Sequence, residues 1–334
     1  MFRFTLAFVL LATAAGTSSP AFAQTDPQAA FARPQQMVDI GGRRLNLYCS
    51  GTGPVTVVFE AYSGGAGWTW ASIQPAIATR TRACVYDRAG LGFSDPSPRP
   101  GTAGNAVEDL HKLLGAAGIA PPFVLVGTSY GGGIVQLYTY RYPSEVKGLV
   151  LPEPQHEDET PRLDKASGGR LKGLYAMLEQ RDQACLAQSE KGFVPGSALW
   201  QACIGPLPEG NSLTLAAARL AVQRTPASWR ASISENTHME LGDAELRAAR
   251  KPFGDLPIIV LSRSMSPYAV PGKPQSAANK AMEAENVAIH TELAALSTRG
   301  SHRIVPGAHH IIHEEQPQAV IDAIHAMLTM VETR

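Results

Sequence analysis

The stretch Phe123-Val124-Leu125-Val126-Gly127-Thr128-Ser129-Tyr130-Gly131-Gly132-Gly133-Ile134-Val135-Gln136-Leu137 decides how the rest of the chain is read. Its four opening apolar residues read as a strand buried on both faces, and Gly131 to Leu137 opens a helix. Between them stands Gly-x-Ser-x-Gly, residues 127–131. Chance alone produces that pattern in roughly one chain in ten of this length, so the setting carries the meaning. A strand running straight into the motif and a helix leaving it force Ser129 into a strained turn that presents its hydroxyl outward. Gly127 and Gly131 leave room where a side chain would strike the neighbouring strand or helix. Ser129 is the candidate nucleophile.

Before and after this stretch, short apolar runs bounded by turn residues recur at Val55 to Phe59, Ala83 to Tyr86, Gly148 to Leu151, Ile258 to Leu261 and His302 to Val305, with helical segments between them. That alternation predicts an α/β fold with a mostly parallel sheet covered by helices on both faces. Ala106, Leu110, Leu113 and Leu114 give the segment from Ala103 to Ala117 an amphipathic spacing, with Gly118 as its stop. A last helix is expected from Ala319 to Val331, after Pro317. From about Gln155 to Arg250 the strand runs cease and only helical segments remain, among them Gly169 to Ala187 and Ser212 to Arg224, the latter capped by Asn211 or Ser212. This reads as a helical lid inserted between two core strands. The expected organisation is a leader at 1–23, a first part of the core at 36–154, the lid at 155–252 and the second part of the core at 253–334.

The 334 residues carry 29 basic and 29 acidic side chains, so no overall field draws nucleic acid or an anionic membrane. There is no zinc-type cysteine spacing, no phosphate-cradling loop, no dinucleotide fingerprint and no long repeat. Those patterns point to chemistry without cofactor or metal, on a small neutral or weakly polar substrate. At the amino terminus Arg3 precedes an apolar stretch from Phe4 to Ala15, and Ala21-Phe22-Ala23 supplies a small-residue cleavage site before Gln24. The stretch is short of the roughly 20 apolar residues that span a bilayer, so a cleaved export signal is expected rather than an anchor. The mature chain is then periplasmic or secreted and not inserted in the membrane. Export permits disulfides, and pairing the four cysteines within their regions gives Cys49–Cys84 and Cys185–Cys203, against the alternative of buried free thiols.

The segment Tyr86-Asp87-Arg88-Ala89-Gly90-Leu91-Gly92-Phe93-Ser94 resembles the Tyr-Asp-x-x-Gly-x-Gly-x-Ser segment of α/β-hydrolase-fold esterases and their relatives. With the serine motif following it and a histidine segment near the end, the chain resembles that superfamily over essentially its whole mature length. The resemblance implies an eight-stranded sheet and a triad in the chain order serine, acid, histidine. Gly307-Ala308-His309-His310-Ile311-Ile312-His313-Glu314-Glu315-Gln316-Pro317 is similar to the family's Gly-His-x-x-x-x-Glu-x-Pro loop. The spacing to Pro317 selects His310 as the base, with His309 as runner-up and His313 in a structural role. The acid departs from the common pattern, because Ser262-Arg263-Ser264-Met265-Ser266-Pro267 after the penultimate strand holds no carboxylate. Some relatives, haloalkane dehalogenases and zearalenone-type lactonases among them, place the acid one strand earlier, where Pro152-Glu153-Pro154 stands. Glu153 is therefore the expected acid, with Glu157, Asp158 and Glu283 as alternatives.

For the oxyanion the resemblance implies two backbone donors, the amide of Tyr130 after the nucleophile and that of Tyr62 in Val57-Val58-Phe59-Glu60-Ala61-Tyr62-Ser63-Gly64-Gly65. Glu60-Ala61 stands where the family usually carries His-Gly. Trp68 and Trp70 either line the pocket or pack the following segment, and Asp87 and Arg88 are expected to brace the loop beside Ser129. The activity implied is hydrolysis of a carboxylic ester through an acyl-enzyme. The same triad also suits lactones, amides, amino-terminal peptide bonds and a cofactor-free haloperoxidase-like reaction. Serine at the nucleophile position speaks against epoxide hydrolase and haloalkane dehalogenase activity, whose relatives in this fold use aspartate there.

Overall fold

The computed structural model describes residues 26–206, 210–270 and 272–332; the expected leader lies outside the described residues. Eight strands form one sheet: β1 (Gln36–Asp39), β2 (Arg44–Ser50), β3 (Thr56–Glu60), β4 (Arg82–Tyr86), β5 (Phe123–Gly127), β6 (Val146–Pro152), β7 (Ile258–Arg263) and β8 (Gly300–Val305). Their spatial order is β1-β2-β4-β3-β5-β6-β7-β8. The β1–β2 and β2–β4 pairings are antiparallel, and every pairing from β4 through β8 is parallel. This is the mostly parallel eight-stranded α/β sheet that the alternating runs and the resemblance imply.

The central strands are apolar throughout because both faces are covered. Successive side chains point to opposite faces, so Val124 and Val126 of β5 join one core with Val57, Phe59 and Val150, while Phe123 and Leu125 join the other with Val58, Leu149 and Leu151. The first core is closed by helix α12 (Pro317–Glu332) through Val320, Ile324, Met327 and Leu328; the second by α2 (Ala103–Ala116) through Val107, Leu110 and Leu113 and by α3 (Tyr130–Arg141) through Ile134, Val135 and Leu137. Each such side chain, fully buried, contributes roughly 1.5–3 kcal/mol of transfer free energy, so the sheet is fixed from both sides. The Thr102 side chain caps α2 by accepting from the Asn105 N–H, and Gly118, at φ 66°, ends the helical run.

Between β6 and β7 the described chain holds six helices and no named strand: α4 (Glu159–Ser167), α5 (Leu171–Lys191), α6 (Ala198–Cys203), α7 (Leu213–Gln223), α8 (Pro226–Thr237) and α9 (Met239–Ala249). Ser197, Ser212 and Thr225 cap α6, α7 and α8 by accepting from backbone N–H groups three residues on. The last of the six, α9, packs against α2 and α3 and puts Leu246 into the second core. It thus belongs physically to the layer that covers the sheet. After β7 follow α10 (Ala277–Ala294), β8, the short α11 (Ile312–Glu315) and α12; a further short helix, α1 (Gln74–Ala78), precedes β4.

Both expected disulfides are present. Cys49–Cys84 joins β2 to β4 at directly paired positions, and Cys185–Cys203 ties α5 to α6 across a sequence separation of 18. A loop of that size loses enough unfolded-state entropy on closure to contribute about 3 kcal/mol.

Candidate active site

β5 ends at Gly127 and α3 begins at Tyr130, so Ser129 occupies the turn between them at φ 51° and ψ −125°. Among the described residues only Ser129 and Glu153 are non-glycine residues at positive φ. Such a conformation costs on the order of 1–3 kcal/mol and persists only where the surroundings enforce it. Here they do: the Ser129 N–H donates to the Glu153 carbonyl at 2.9 Å, and the Gln155 N–H donates back to the Ser129 carbonyl at 2.8 Å. A Cβ on Gly127 would come 2.4 Å from the Gly131 carbonyl oxygen, and one on Gly131 would come 2.5 Å from that of Ala61. The two glycines of the motif are thus required by close backbone approach, as their spacing suggests.

The Ser129 Oγ lies 3.0 Å from His310 Nε2, and His310 Nδ1 lies 3.2 Å from Glu153 Oε2. A carboxylate only accepts, so Nδ1 carries the hydrogen and the lone pair of Nε2 faces the serine hydroxyl. Glu153 leaves β6 fully buried, its N–H donating to the Leu261 carbonyl at 2.7 Å. Its Oε1 accepts from the Arg263 backbone N–H at 2.6 Å and from Asn286 Nδ2 at 3.2 Å, and its Oε2 also accepts from Arg263 Nη1. Burial alone would raise this carboxyl; the Arg263 charge and the His310 hydrogen bond outweigh it and hold Glu153 well below the usual carboxylate range. Arg263 is in turn paired with Glu283, Nε to Oε2 at 2.8 Å.

The alternatives considered for the acid and base stand elsewhere. Glu157 pairs with Arg250, Asp158 with Arg247 and Glu283 with Arg263, while His309 is half-exposed beside Glu315. Ligand atoms of His156, Glu157 and Asp158 lie within 4.8 Å of one another, and the two carboxylates of this cluster are ion-paired with Arg250 and Arg247. Arg263 is the residue that sequence reasoning passed over. It ends β7, at the start of the segment where the family pattern places a carboxylate, and its charge has the opposite sign.

On the other side of Ser129, the loop after β3 runs past Gly131. No hydrogen bond to another described residue engages the N–H of Tyr62 or of Tyr130. Tyr130 is the first residue of α3, where the N–H is free by position. Glu60, at the end of β3, is buried and paired with Arg88 at 2.6 Å, and it also accepts from the Tyr86 hydroxyl. Asp87 accepts from the N–H groups of Gly67 and Phe93 and from Asn46 Nδ2, and a Cβ on Gly92 would fall 2.2 Å from its carboxylate. Asp87 and Arg88 are thus loop braces by contact. Trp70 is fully buried against Phe59, with ring centroids 5.0 Å apart, and against His313 at 4.5 Å; Trp68 sets its edge on Phe93 at 5.6 Å. Both tryptophans pack the core.

The model of the alpha/beta hydrolase fold family matches residues 57–270, which take in Ser129, Glu153 and most of the sheet. The chain belongs to the alpha/beta hydrolase fold family. Among curated relatives, this alpha/beta hydrolase is 38% identical over 104 residues to the uncharacterized protein YqjL of Bacillus subtilis, a match covering 31% of this chain and 41% of that one. The chain spans less than half the length of the curated relatives it matches. Among solved structures, it is similar to a thermophilic esterase from Thermogutta terrifontis, with a TM-score of 0.57 and 20% identity over 90% of this chain and 99% of that one. It is also similar to the epoxide hydrolase CorEH, with a TM-score of 0.59 and 17% identity over 88% of this chain and 97% of that one. At such identities these likenesses speak for the fold.

Proposed function

We propose that this alpha/beta hydrolase is a serine hydrolase that cleaves a carboxylic ester through an acyl-enzyme, with Ser129 as nucleophile, His310 as base and Glu153 as the orienting acid. The observation that carries the proposal is the unbroken hydrogen-bonded line from Ser129 Oγ through His310 to Glu153, at 3.0 and 3.2 Å. His310 Nε2 takes the hydroxyl proton as Oγ attacks the ester carbonyl, and the carboxylate of Glu153 stabilises the imidazolium that forms. The oxyanion is met by the N–H groups of Tyr62 and Tyr130, which no described residue engages. The imidazolium then protonates the leaving alkoxide, and the alcohol departs. Water, deprotonated by the same imidazole, adds to the acyl group and releases the acid and Ser129.

Serine as the attacking atom supports ester cleavage over the chemistry of the epoxide hydrolases that share the fold, whose nucleophile is a carboxylate. The two disulfides support an oxidising compartment, and with it export of the chain. No described helix is long and apolar enough to cross a membrane. The partner we propose is a small ester, with no cofactor taking part. Hydrolysis of chromogenic esters of increasing acyl length, beside a lactone and an amide, tests the substrate class, and a labelled fluorophosphonate tests the nucleophile. Turnover of an ester, abolished in Ser129→Ala, is expected. Full activity in Ser129→Ala would overturn the mechanism, and turnover of the amide or lactone alone would overturn the substrate class.

A further inference from the structure

Arg88 does more than brace its own loop. Its side chain is 5% exposed, and each of its five N–H groups has an acceptor. Nη1 donates to Glu60 Oε1 at 2.6 Å and to the Ala61 carbonyl at 2.8 Å; Nη2 donates to the Tyr62 carbonyl at 2.7 Å and to Glu235 Oε2 at 2.9 Å; Nε donates to Glu235 Oε1 at 2.6 Å. The guanidinium also sits over the Tyr130 ring, 5.6 Å from its centroid. It therefore touches both segments whose amides are proposed to meet the oxyanion.

A trans peptide is planar, with its C=O and the following N–H on opposite edges. Holding the Ala61 carbonyl on Arg88 thus fixes the direction in which the Tyr62 N–H points, and the bond to the Tyr62 carbonyl fixes the next peptide as well. Arg88 is itself gripped in a bidentate pair by Glu235, which lies on α8 of the helical insertion. Glu235 Oε2 also accepts from the Gly64 N–H at 2.7 Å, and Ser63 Oγ donates to Asn236 Oδ1 at 2.7 Å. The loop that carries the Tyr62 amide is therefore clamped between Glu60 beneath and the insertion above.

We propose that Glu235 is a positioning residue for the oxyanion site: through Arg88 and Gly64 it fixes the peptide that carries the Tyr62 N–H, so that acyl transfer at Ser129 requires the helical insertion to be seated. The proposal rests on Ser129 being the nucleophile. Without the Glu235 carboxylate the guanidinium keeps only Glu60 as a counter-charge, and the two loop carbonyls lose the fixed donor that orients them.

The test uses the whole chain and reads the second-order rate at which a fluorophosphonate labels Ser129, together with the stoichiometry of labelling at saturation. Phosphonylation forms a charged oxygen at the same place as ester cleavage, and needs no knowledge of the substrate. Glu235→Gln is expected to lower the labelling rate roughly 10–100-fold per titrated site, and to lower kcat for any ester turned over with KM changed less than about twofold, within the loss seen when an oxyanion donor is removed. A merely structural role would lower the melting temperature and the titratable fraction, and leave the rate per titrated site alone. That outcome overturns the proposal. If Glu235→Gln fails to fold, Glu235→Asp is read in the same way: the shorter side chain is expected to slow labelling, and an unchanged rate overturns the proposal. Arg230→Gln, also on α8, breaks an exposed pair with Glu190 of α5 and is expected to label at the wild-type rate. A wild-type chain that labels elsewhere than Ser129, or not at all, removes the nucleophile assignment and this proposal with it, which separates the two failures.

Discussion

Replacing Glu153 by glutamine tests the site where it is most constrained. Four donors converge on that carboxylate: the Arg263 N–H and Asn286 Nδ2 on Oε1, and Arg263 Nη1 and His310 Nδ1 on Oε2. Glutamine offers one oxygen and one NH2, so whichever way it turns, two of the four donors face another donor. If the NH2 faces His310, the imidazole must turn its Nδ1 lone pair to it and put its hydrogen on Nε2, the tautomer that does not accept the Ser129 proton. If it faces the Arg263 N–H, a buried backbone donor is left unsatisfied and Arg263 keeps Glu283 as its only carboxylate partner among the described residues. Removing one member of a buried pair costs about 3–5 kcal/mol, which for a domain of this size lowers the melting temperature by roughly 10 °C. Loss of the orienting charge and tautomer costs about three to four orders of magnitude in kcat. The assay is ester hydrolysis normalised to sites titrated by fluorophosphonate, with thermal unfolding measured alongside. A kcat within tenfold of wild type, or an unchanged melting temperature, would refute the placement of Glu153 as the orienting acid.

Three further outcomes follow from the same geometry. Because Glu153 is held below the ordinary carboxyl range of about 4.3, it contributes stability that is complete above that pH and lost as pH falls toward its folded value; acid unfolding below about pH 4 should be steeper in wild type than in Glu153→Gln. Ser129→Gly should abolish turnover yet raise stability by about 1 kcal/mol through relief of the positive φ, whereas Ser129→Ala keeps a Cβ and should not; equal unfolding free energies in denaturant for the two variants would count against strain at the turn. Burial, then the charges of His310 and Arg219, push His313 down to about 3, and neither of its ring nitrogens has a partner among the described residues. Its folded value lies below the unfolded one, so the unfolded chain takes the proton first and stability is lost as pH falls from about 6.5 toward 3. His313→Phe should remove that loss and add about 1 kcal/mol at neutral pH, read from chemical denaturation at several pH values.

What the sequence made legible was what is encoded locally. The four apolar residues of β5 and the glycines on either side of Ser129 specify strand, turn and close approach within nine positions, and the count back from Pro317 marked His310 among three neighbouring histidines. The five central runs, from Val55 to Phe59 through Ile258 to Leu261, were legible because strands covered on both faces must be apolar throughout, whereas the edge strand β8 is mostly half-buried or exposed and its run holds His302 and Arg303. The edge strand Gln36–Asp39 is covered less completely and carries no such run, so nothing local marked it. Partners far apart in sequence left no mark either. Arg88 and Glu235 are separated by 147 positions and Glu153 and Arg263 by 110; a single arginine or glutamate has no periodicity, and only the folded chain brings them within hydrogen-bond distance. For the same reason α9 read as one more helix of the insertion, although Leu246 anchors it on the core.

The departure after β7 also has a physical sense once charge is counted around the imidazole. A carboxylate on β6 and another on β7 would face each other across paired strands, since Pro152 is in register with Leu261. Here the β7 position carries Arg263 instead, which would cancel Glu153 if the two stood alone. Glu283, on α10, pairs with the same guanidinium. Glu153 and Glu283 outnumber the one guanidinium, and Glu159 adds a further carboxyl that acts on His310 and Arg263, so the balance beside His310 keeps the negative sign that a lone acid provides. The buried carboxylate thereby gains a partner that keeps it ionised, while the site keeps the charge that a transient imidazolium needs. On this account Glu283→Gln should slow turnover although Glu283 touches neither Ser129 nor His310, because it lets the Arg263 charge act against the protonated imidazole. At an effective dielectric near 20, a unit charge several ångströms away is worth a few kcal/mol before screening, and solvent at the partly exposed Glu283 side chain reduces that to about 1 kcal/mol, roughly a fivefold loss in kcat. Steady-state kinetics of Glu283→Gln decide it: a kcat equal to that of wild type, with Arg263 still in place, would mean that the charge balance does not matter to the reaction.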